Sequence, residues 1–480
     1  MKKAAFISVI LIILSAVTVC YANDEQDGYL IKIKSDSSYE DVSKSNDLSI
    51  EPVVDDWNIY KISDDDADKI DMSKVDYIEP NCYFELMDAF PNDVYYSSYQ
   101  SNFLNMIKVP YAWQNGFWGT GVKVAIIDSG ISTTHNDLKN RIVATLDYTT
   151  TGTMAEETVH GSIVAGIIGA EINNNIGIAG VSKADLYIMK VVENEKVPLE
   201  YLIKAIADAV ELYDCDVINL SLGADSIEAN ILNSLKDAID KAYNNGTIVV
   251  AAAGNTGHET NLKCYPASME HVISVAAVDA NGATAYFSQY NDAVDVAAPG
   301  VKVYSTLAEG YGYASGTSFA APHVVGISAL IKGIRPNTNQ DDMELMIKYS
   351  SADAGSYGYD IHYGWGIIDA EKLVKIANES EPFLHPSYIT YDTENKSVEI
   401  SYLNTASVVN DDSAIRLAVY DEYGKLNYIS TPVNLNIASF SEEKYKFDDI
   451  TIPTGGSAKI FCMNNWNALT PSAETAVFNN

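Results

Sequence analysis

Apolar and polar positions alternate in short runs through the first part of the chain. The runs 29–34 (YLIKIK), 58–62 and 75–78 place apolar residues at nearly every second position, which is typical of half-buried strands. The acidic stretch 63–66 between them indicates a charged turn or the start of a helix. Residues 23–87 are therefore predicted to form a small α+β domain.

From residue 88 to about 378 the pattern changes to short, mostly apolar runs separated by helical periodicities. In 228–245 the apolar side chains fall on one helical face, and Gly246 follows as the helix stop. Buried strands that alternate with helices predict an α/β fold with a doubly wound, mainly parallel sheet. Sites in such sheets gather at the carboxyl ends of the strands. The predicted strands are 122–127, 216–220, 247–253 and 272–278.

The last part of the chain, 379–480, contains short strand patterns and turn residues without long helical patterns. The turns at 423–425 and 453–456 carry glycine, as sharp reversals require. This pattern predicts a C-terminal β-sandwich of about 100 residues. Its predicted strands are 388–391, 397–403, 415–420, 427–430, 444–452 and 458–462.

Residues 1–22 resemble a secretory signal peptide. Lys2 and Lys3 precede an apolar stretch over 6–19, and Cys20-Tyr21-Ala22 supplies small residues at the −3 and −1 positions of a cleavage site. An uncleaved membrane anchor remains the alternative, whereas lipoprotein cleavage before Cys20 is disfavoured by the bulky Val19. No later stretch is long and apolar enough to predict a second membrane span.

Charge and cysteine content narrow the function classes. The 480 residues include 65 acidic and 31 basic side chains, for a formal net charge of −34. Such a surface repels nucleic acid and anionic lipid, so we expect neither as a partner. The five cysteines, of which three follow residue 87, form neither a disulfide framework nor a zinc motif. Cys215 opens a predicted apolar strand, so we expect its side chain to be buried and to pack as a small hydrophobic group.

Four short motifs carry candidate chemistry. "VAIIDSGI" places Asp128 at the end of a strand, and "TVHGSIVAGIIGA" places His160 at the start of a helix of small residues. "IVVAAAGNTG" places Asn255 just beyond a strand, and "YASGTSFAAPHVVG" places Ser318 at a helix N-terminus, where free N–H groups can bind an oxyanion. Each motif alone also fits a structural role: a turn aspartate, a core histidine, a loop asparagine or close helix packing.

Together the four motifs supply an acid, a base, an oxyanion donor and a nucleophile in the order Asp, His, Asn, Ser. This arrangement resembles the subtilisin-like serine proteases. The resemblance implies that Ser318 attacks the scissile carbonyl, that His160 transfers the proton, that Asp128 orients His160, and that Asn255 and the Ser318 N–H bind the oxyanion. The sequence departs from the family at Ser162, Ile163 and Phe319 without touching the triad.

The resemblance also implies a substrate-binding groove. A strand ending in "NLSLG" pairs with an extended substrate in this family, and two further segments line the S1 pocket. The residue before Tyr265-Pro266 usually forms the pocket floor and is often glycine, but here it is Cys264. We therefore expect small to medium apolar P1 residues rather than large aromatics, unless Cys264 turns aside. The implied substrate-binding residues are Ser221, Leu222, Gly223, Ala252, Ala253, Gly254 and Cys264.

Structural calcium is a further implication of the resemblance. "INNNIGI" resembles the calcium loop of these enzymes, although Glu171 stands as an insertion before it. Oxygen ligands from dispersed positions suit Ca²⁺. The implied ligands are the side chains of Asp93, Asp137 and Asn174 and the carbonyls of Ile172, Ile176 and Ile178.

The resemblance finally implies the domain order: a signal peptide (1–22), an inhibitory propeptide (23–87), a catalytic domain (88–378) and a C-terminal β-sandwich (379–480). We expect a cut near Met87–Asp88, protein or peptide substrates, the chain's own propeptide as intramolecular inhibitor, and a monomeric secreted enzyme that is either released or held at the cell surface. Two alternatives stay open: a catalytically silent surface-binding or adhesion protein, and an ester or lipid hydrolase, which the missing G-x-S-x-G elbow disfavours.

Overall fold

The structure, a computed structural model, describes residues 28–38, 42, 50–81, 91–155, 159–225, 232–378, 384–386, 389–404, 413–437, 441–465, 470–471 and 476–479. The chain separates into two compact units, Met1–Asp88 and Ala89–Asn480. The predicted signal peptide, the predicted cut at Met87–Asp88, and Cys20 and Cys82 lie outside the described residues.

The first unit contains an antiparallel sheet in the order β2-β3-β1-β4. Its apolar alternation places Ile31, Ile33 and Ile62 on a buried face, as the sequence predicts. The acidic stretch forms a short 3₁₀ helix at Asp64–Lys69. The strand β2 escaped prediction because Pro52 interrupts its pattern; the strands are β1 Tyr29–Ile33, β2 Ile50–Val54, β3 Ile59–Ile62 and β4 Val75–Pro80.

The part of the second unit up to residue 378 contains a seven-stranded parallel sheet in the order β11-β10-β9-β8-β5-β7-β6. The predicted strands are confirmed to within a residue or two at each end. The sheet strands are β5 Lys123–Asp128, β6 Ile142–Asp147, β7 Asp185–Lys190, β8 Val217–Leu220, β9 Ile248–Ala252, β10 Ile273–Val278 and β11 Val296–Pro299, followed by the hairpin β12 Val303–Thr306 and β13 Tyr311–Ala314.

The helices that cover this sheet are α1 Ser101–Met106, α2 Val109–Gln114, α3 His160–Gly169, α4 Leu199–Ala207, α5 Asn233–Asn244, α6 Thr317–Ile334, α7 Gln340–Ser350 and α8 Ala370–Asn378. The helix predicted over 228–245 begins later than expected, because Leu232 is the N-cap of α5. Gly246 ends it with φ at 79°, a conformation that favours glycine.

Helix α6 runs through the core of the domain. Among the described residues it alone is long and apolar enough to cross a membrane, but 83% of its apolar window is buried inside the protein. Small residues make this burial possible: a Cβ on Gly326 would lie 2.5 Å from Val181 Cβ. A helix packed this closely fixes its own N-terminus, where Ser318 lies, against the sheet.

The C-terminal residues form two antiparallel sheets whose apolar faces share one core, which includes Tyr402, Leu417 and Ile460. The expected strand over 444–452 is corrected: it begins at Ser441 and ends at Phe447, and Asp449 then turns with a positive φ of 61°. The strands are β14 Leu384–Pro386, β15 Thr390–Asp392, β16 Ser397–Asn404, β17 Ala414–Tyr420, β18 Leu426–Ile429, β19 Val433–Asn434, β20 Ser441–Phe447, β21 Ser457–Asn465, β22 Thr470–Pro471 and β23 Ala476–Asn479.

The two parts of the second unit are joined by an ion pair. Lys348 Nζ on α7 lies 2.5 Å from Glu442 Oε1 on β20, and both side chains are about one-fifth exposed. The ammonium also lies 5.2 Å from the centre of the Trp365 ring. Tyr357 adds a second contact by accepting the Ile389 N–H at 3.2 Å. The C-terminal sheets therefore pack directly against the part of the unit that holds the parallel sheet.

His323 gives the fold a pH dependence. Burial lowers the pKa of His323 from 6.5 to about 4, and the neutral ring donates from Nδ1 to the Phe319 carbonyl. Between pH 6.5 and about 4, His323 is therefore protonated in the unfolded chain but stays neutral in the folded chain. The contribution of the neutral His323 to the free energy of unfolding has its full value above pH 6.5 and decreases as the pH falls towards 4.

We therefore expect His323→Asn, in a Ser318→Ala background that prevents self-digestion, to lose less stability than its parent on acidification. Between pH 7 and 4.5 the difference amounts to about 2–3 kcal/mol at 1.36 kcal/mol per pKa unit. Urea unfolding at a series of pH values measures it. Parallel stability curves for the two proteins would show that His323 does not titrate abnormally.

Candidate active site

Asp128 and His160 meet at the carboxyl end of β5, which lies next to the central strand β8. His160 Nδ1 lies 2.8 Å from Asp128 Oδ1, and the same oxygen accepts the Ser129 N–H at 2.7 Å. The Asp128 side chain is 3% exposed, whereas that of His160 is 30% exposed. A buried carboxylate that accepts from Nδ1 holds the imidazole with Nε2 as the atom that exchanges a proton with solvent or substrate.

Two glycines let the first turn of α3 approach β5. A Cβ on Gly161 would lie 2.0 Å from the Gly130 carbonyl oxygen, and one on Gly130, whose φ is 106°, would lie 2.5 Å from the Met154 carbonyl oxygen. Ser129 links the same segments, because its hydroxyl accepts the Gly161 N–H at 3.0 Å. Larger residues would push His160 away from Asp128, so this close approach fixes the pair.

Ser318 lies in the first turn of α6, beside the carboxyl end of β8. Its hydroxyl donates to the Ser221 carbonyl oxygen at 3.1 Å, and the Ser221 hydroxyl donates to the Ser318 carbonyl oxygen at 2.8 Å. The serine hydroxyl must therefore rotate to reach His160. Such hydrogen bonds often tighten only when substrate is bound.

Asn255 follows β9 and faces the start of α6. Its Oδ1 accepts both the Thr317 N–H at 2.9 Å and the Thr317 hydroxyl at 3.1 Å. Thr317 Oγ1 in turn accepts the Gly254 N–H at 3.1 Å. Because Oδ1 is used in this way, the amide NH₂ of Asn255 is left to donate outward, as an oxyanion donor must. Sequence reasoning missed Thr317 as the residue that fixes this orientation.

The predicted substrate-binding residues Ser221, Leu222 and Gly223 follow directly after β8, which ends at Leu220. Ala224 and Tyr265 exchange two backbone hydrogen bonds of 2.9 Å, so this segment is tied to the one that carries Cys264. A Cβ on Gly223 would lie 2.6 Å from Cys264 Sγ. The thiol therefore occupies the space beside Gly223 and does not turn away from it.

The predicted pocket wall is the end of β9, where Ala252 and Ala253 are almost fully buried and Gly254 has a φ of 111°. Behind Gly254 lies Gln289, a residue that sequence reasoning missed. A Cβ on Gly254 would fall 1.4 Å from Gln289 Oε1. No local motif marks Gln289, because only the folded chain brings it to this wall.

Phe319 packs beside the catalytic histidine. The ring centres of His160 and Phe319 lie 5.2 Å apart at an interplanar angle of 46°. Phe319 is 7% exposed, so its buried ring packs at a tilt against the imidazole, whose side chain stays 30% exposed. The departure from the family pattern at this position thus changes the packing around His160 and leaves the Asp128 hydrogen bond in place.

The predicted calcium ligands are brought together in part. Asp93 accepts the N–H groups of Asn173 and Asn174, and Asp137 accepts from Asn174 Nδ2 at 2.6 Å and from the Ile178 N–H at 2.8 Å. Burial raises the pKa of Asp93 to about 6, and burial likewise raises the pKa of Asp137. Two buried carboxyls that repel each other form a site that a cation would stabilise.

The rest of the predicted ligand set lies in the same loop. Ile172 and Ile178 are buried, whereas Ile176 is 38% exposed. Within the part of the chain that the structure describes, no three His, Cys, Asp or Glu side chains cluster to hold a metal. A calcium ion here depends on Asn174 and on backbone carbonyls, which are suitable hard oxygen ligands.

Comparisons with known proteins agree with this geometry. A family model described as "Subtilase family" matches residues 119–366. The thermophilic serine proteinase of Bacillus sp. (strain AK1) is 40% identical over 261 residues, which span 54% of this chain and 63% of that protein. Subtilisin of Bacillus pumilus is 37% identical over 273 residues, which span 56% of this chain and 96% of that protein.

One solved structure extends the comparison to the fold. It is a protease from Pseudoalteromonas arctica, and it aligns with a TM-score of 0.53 at 28% identity. The alignment covers 60% of this chain and all of that chain.

The major intracellular serine protease of Bacillus subtilis (strain 168) is also similar in sequence, at 40% identity over 249 residues, which span 49% of this chain and 76% of that protein.

The hydrogen bonds around Asn255 predict the effect of removing its amide. We expect Asn255→Ala to lower kcat on a peptide substrate by about 10²–10³, the size known for such a donor in subtilisin itself, with KM little changed. Steady-state kinetics measure this split. Asn115→Ala, at an exposed helix end, serves as the control. An unchanged kcat for Asn255→Ala would remove Asn255 from the oxyanion hole.

Proposed function

Because this chain belongs to the subtilase family and has a subtilisin-like serine endopeptidase domain, we propose that it is a secreted endoprotease made as a self-processing zymogen. The main support for the proposed catalytic activity is the 2.8 Å hydrogen bond between His160 Nδ1 and Asp128 Oδ1, beside Ser318 and Asn255. The relatives include subtilisins, which supports an extracellular location. The proposed enzyme acts as a monomer on protein or peptide substrates.

The proposed reaction uses one acyl-enzyme. Ser318 Oγ attacks the scissile carbonyl carbon while its proton moves to His160 Nε2, and the oxyanion is held by Asn255 and the Ser318 N–H. Collapse breaks the C–N bond, and His160 gives its proton to the departing amine. Water then attacks the ester of the acyl-enzyme in the same way, with His160 again transferring the proton, and the carboxylic acid product is released from Ser318. Asp128 stabilises the imidazolium in both halves without taking the proton.

The proposed zymogen is supported by the N-terminal unit. Residues 23–87 resemble the inhibitory propeptide of the family, and the described strands of this unit form their own sheet and apolar core. In the proposal this unit assists folding, inhibits the enzyme intramolecularly and is cut off near Met87–Asp88. Phe90–Pro91 is a poorer junction, because proline after the cut lacks an N–H and has a fixed φ.

The proposed P1 preference is for small to medium apolar side chains rather than large aromatics. The support is the position of Cys264 Sγ, which occupies space beside Gly223 that a glycine at 264 would leave open. Burial raises the pKa of the Cys264 thiol to about 12, so the thiol is neutral at physiological pH. A neutral, buried group at the floor limits the length of the pocket without adding a charge.

A catalytically silent binding protein is the rival proposal. The complete set of Asp128, His160, Asn255 and Ser318 argues against it, because a binding protein has no need for these hydrogen bonds. The comparisons add no support for an adhesion role. The ion pair of Lys348 with Glu442 attaches the C-terminal part to the rest of the second unit.

Self-processing is tested by intact-mass analysis of the chain without residues 1–22. We expect wild type to lose about 65 N-terminal residues and Ser318→Ala to stay full length, because the nucleophile itself makes the cut. The released mass defines the junction. Processing of both proteins at the same site would assign the cut to another protease, and full-length wild type would contradict the zymogen proposal.

Structural calcium is tested by thermal unfolding with and without a chelator, in the Ser318→Ala background. At a free calcium concentration 100 times Kd, the ion contributes about 2.7 kcal/mol, so Tm should fall clearly on chelation. Asp137→Asn should unfold at a lower Tm that no longer responds to calcium, whereas Asp421→Asn, in the distant C-terminal sheets, should respond like its parent. A chelator-insensitive parent would contradict the calcium proposal.

A further inference from the structure

We propose that Gln289 is a specificity-determining residue, whose amide oxygen accepts a hydrogen bond from the P1 side chain at the base of the S1 pocket. The inference rests on the proposed protease function and on its size limit, which Cys264 sets, but it replaces the apolar part of the proposed P1 preference, because Gln289 favours a polar side chain of the same size. Short side chains that end in an uncharged N–H or O–H donor are favoured over apolar side chains of the same shape.

The backbone around Gln289 is held firmly against the predicted wall of the pocket. The Gln289 N–H donates to the Gly254 carbonyl at 3.0 Å, and the Gly257 N–H donates to the Phe287 carbonyl at 2.9 Å. Asn261 clamps the next residue, accepting the Tyr290 N–H and donating to the Tyr290 carbonyl. The side chain of Gln289 therefore projects from a rigid segment.

The orientation of the Gln289 amide follows from its surroundings. Nε2 donates to the Leu262 carbonyl oxygen, which as an acceptor cannot face Oε1. Oε1 is thereby directed towards Gly254, where an added Cβ would fall 1.4 Å from it and 3.1 Å from Cys264 Cβ. The oxygen thus lies at the junction of the predicted wall and the predicted floor of the pocket.

This oxygen is buried without a hydrogen-bond partner in the described part of the chain, and Gln289 as a whole is 1% exposed. The neighbouring polar groups do not satisfy it. Thr256 uses its hydroxyl to donate to Asp225. The Cys264 thiol, whose pKa burial raises to about 12, donates to none of the described residues. Leaving a buried acceptor without a hydrogen bond costs free energy, and a donor on the substrate that binds to it removes that cost.

The P1 residue supplies such a donor. Asparagine and leucine have the same branched shape, as do threonine and valine, but only the first of each pair can donate to Oε1. A site that pairs with a substrate donor discriminates against the isostere that lacks it, because the buried acceptor is then left unpaired. Glutamine at 289 therefore favours asparagine over leucine and threonine over valine, within the length that Cys264 permits.

The test uses processed enzyme and four acylated tetrapeptide p-nitroanilides that differ only at P1: Asn, Leu, Thr and Val. We expect Gln289→Met to lower the Asn-to-Leu and Thr-to-Val ratios of kcat/KM by about tenfold to a hundredfold, with the Leu and Val substrates cleaved at similar rates by both enzymes. Gln114→Met makes the same replacement on an exposed helix and should keep the wild-type ratios.

The wild-type enzyme alone can overturn the inference, even if Gln289→Met does not fold. Cleavage of all four peptides with leucine and valine preferred at least tenfold over asparagine and threonine would contradict it. Ratios shared by wild type and Gln289→Met would also contradict it while leaving the proposed protease function intact. Failure of wild type to cleave any of the four peptides, or any denatured protein, would instead contradict the proposed function itself, and this inference with it.

Discussion

The whole site depends on holding the carboxylate of Asp128 in an almost fully buried position at the end of β5. Burying a carboxylate is costly unless donors compensate for the lost water. Here one oxygen accepts from both His160 and Ser129, while the other has no partner among the described residues. Removing His160 would take away one of the two N–H donors described for this oxygen. The same hydrogen bond that orients the base therefore also permits the burial of the acid.

That bond constrains the backbone around it. Helix α3 must start within contact of the segment after β5, which only glycine at 161 allows. Lys190, at the end of β7 and almost fully buried, donates to the carbonyls of Thr153 and Ala155 and so secures the loop that lies against Gly130. On the other side, α6 is buried along its length and presents Ser318 beside Ser221. The catalytic groups thus sit on packed elements that leave them little freedom.

Much of this arrangement could be predicted from the sequence, because the relevant signals are local. The run before Asp128 and the small residues after His160 mark a buried strand and a buried helix directly. Contacts between distant segments gave no such signal. Thr317 acts through Asn255, and Gln289 reaches Gly254 only after the chain has folded. The edge strand with Pro52 escaped prediction, and the end of β20 at Phe447 was predicted too late, because local patterns do not report strand pairing.

The central claim is that Ser318 is a nucleophile activated by His160 and Asp128. Its most direct test is labelling with a serine-directed fluorophosphonate, followed by mass spectrometry of the peptides. The account predicts a single adduct on Ser318 in wild type and a greatly slowed reaction in a folded His160→Ala variant. An adduct on another serine, or none on a correctly processed enzyme, would contradict it.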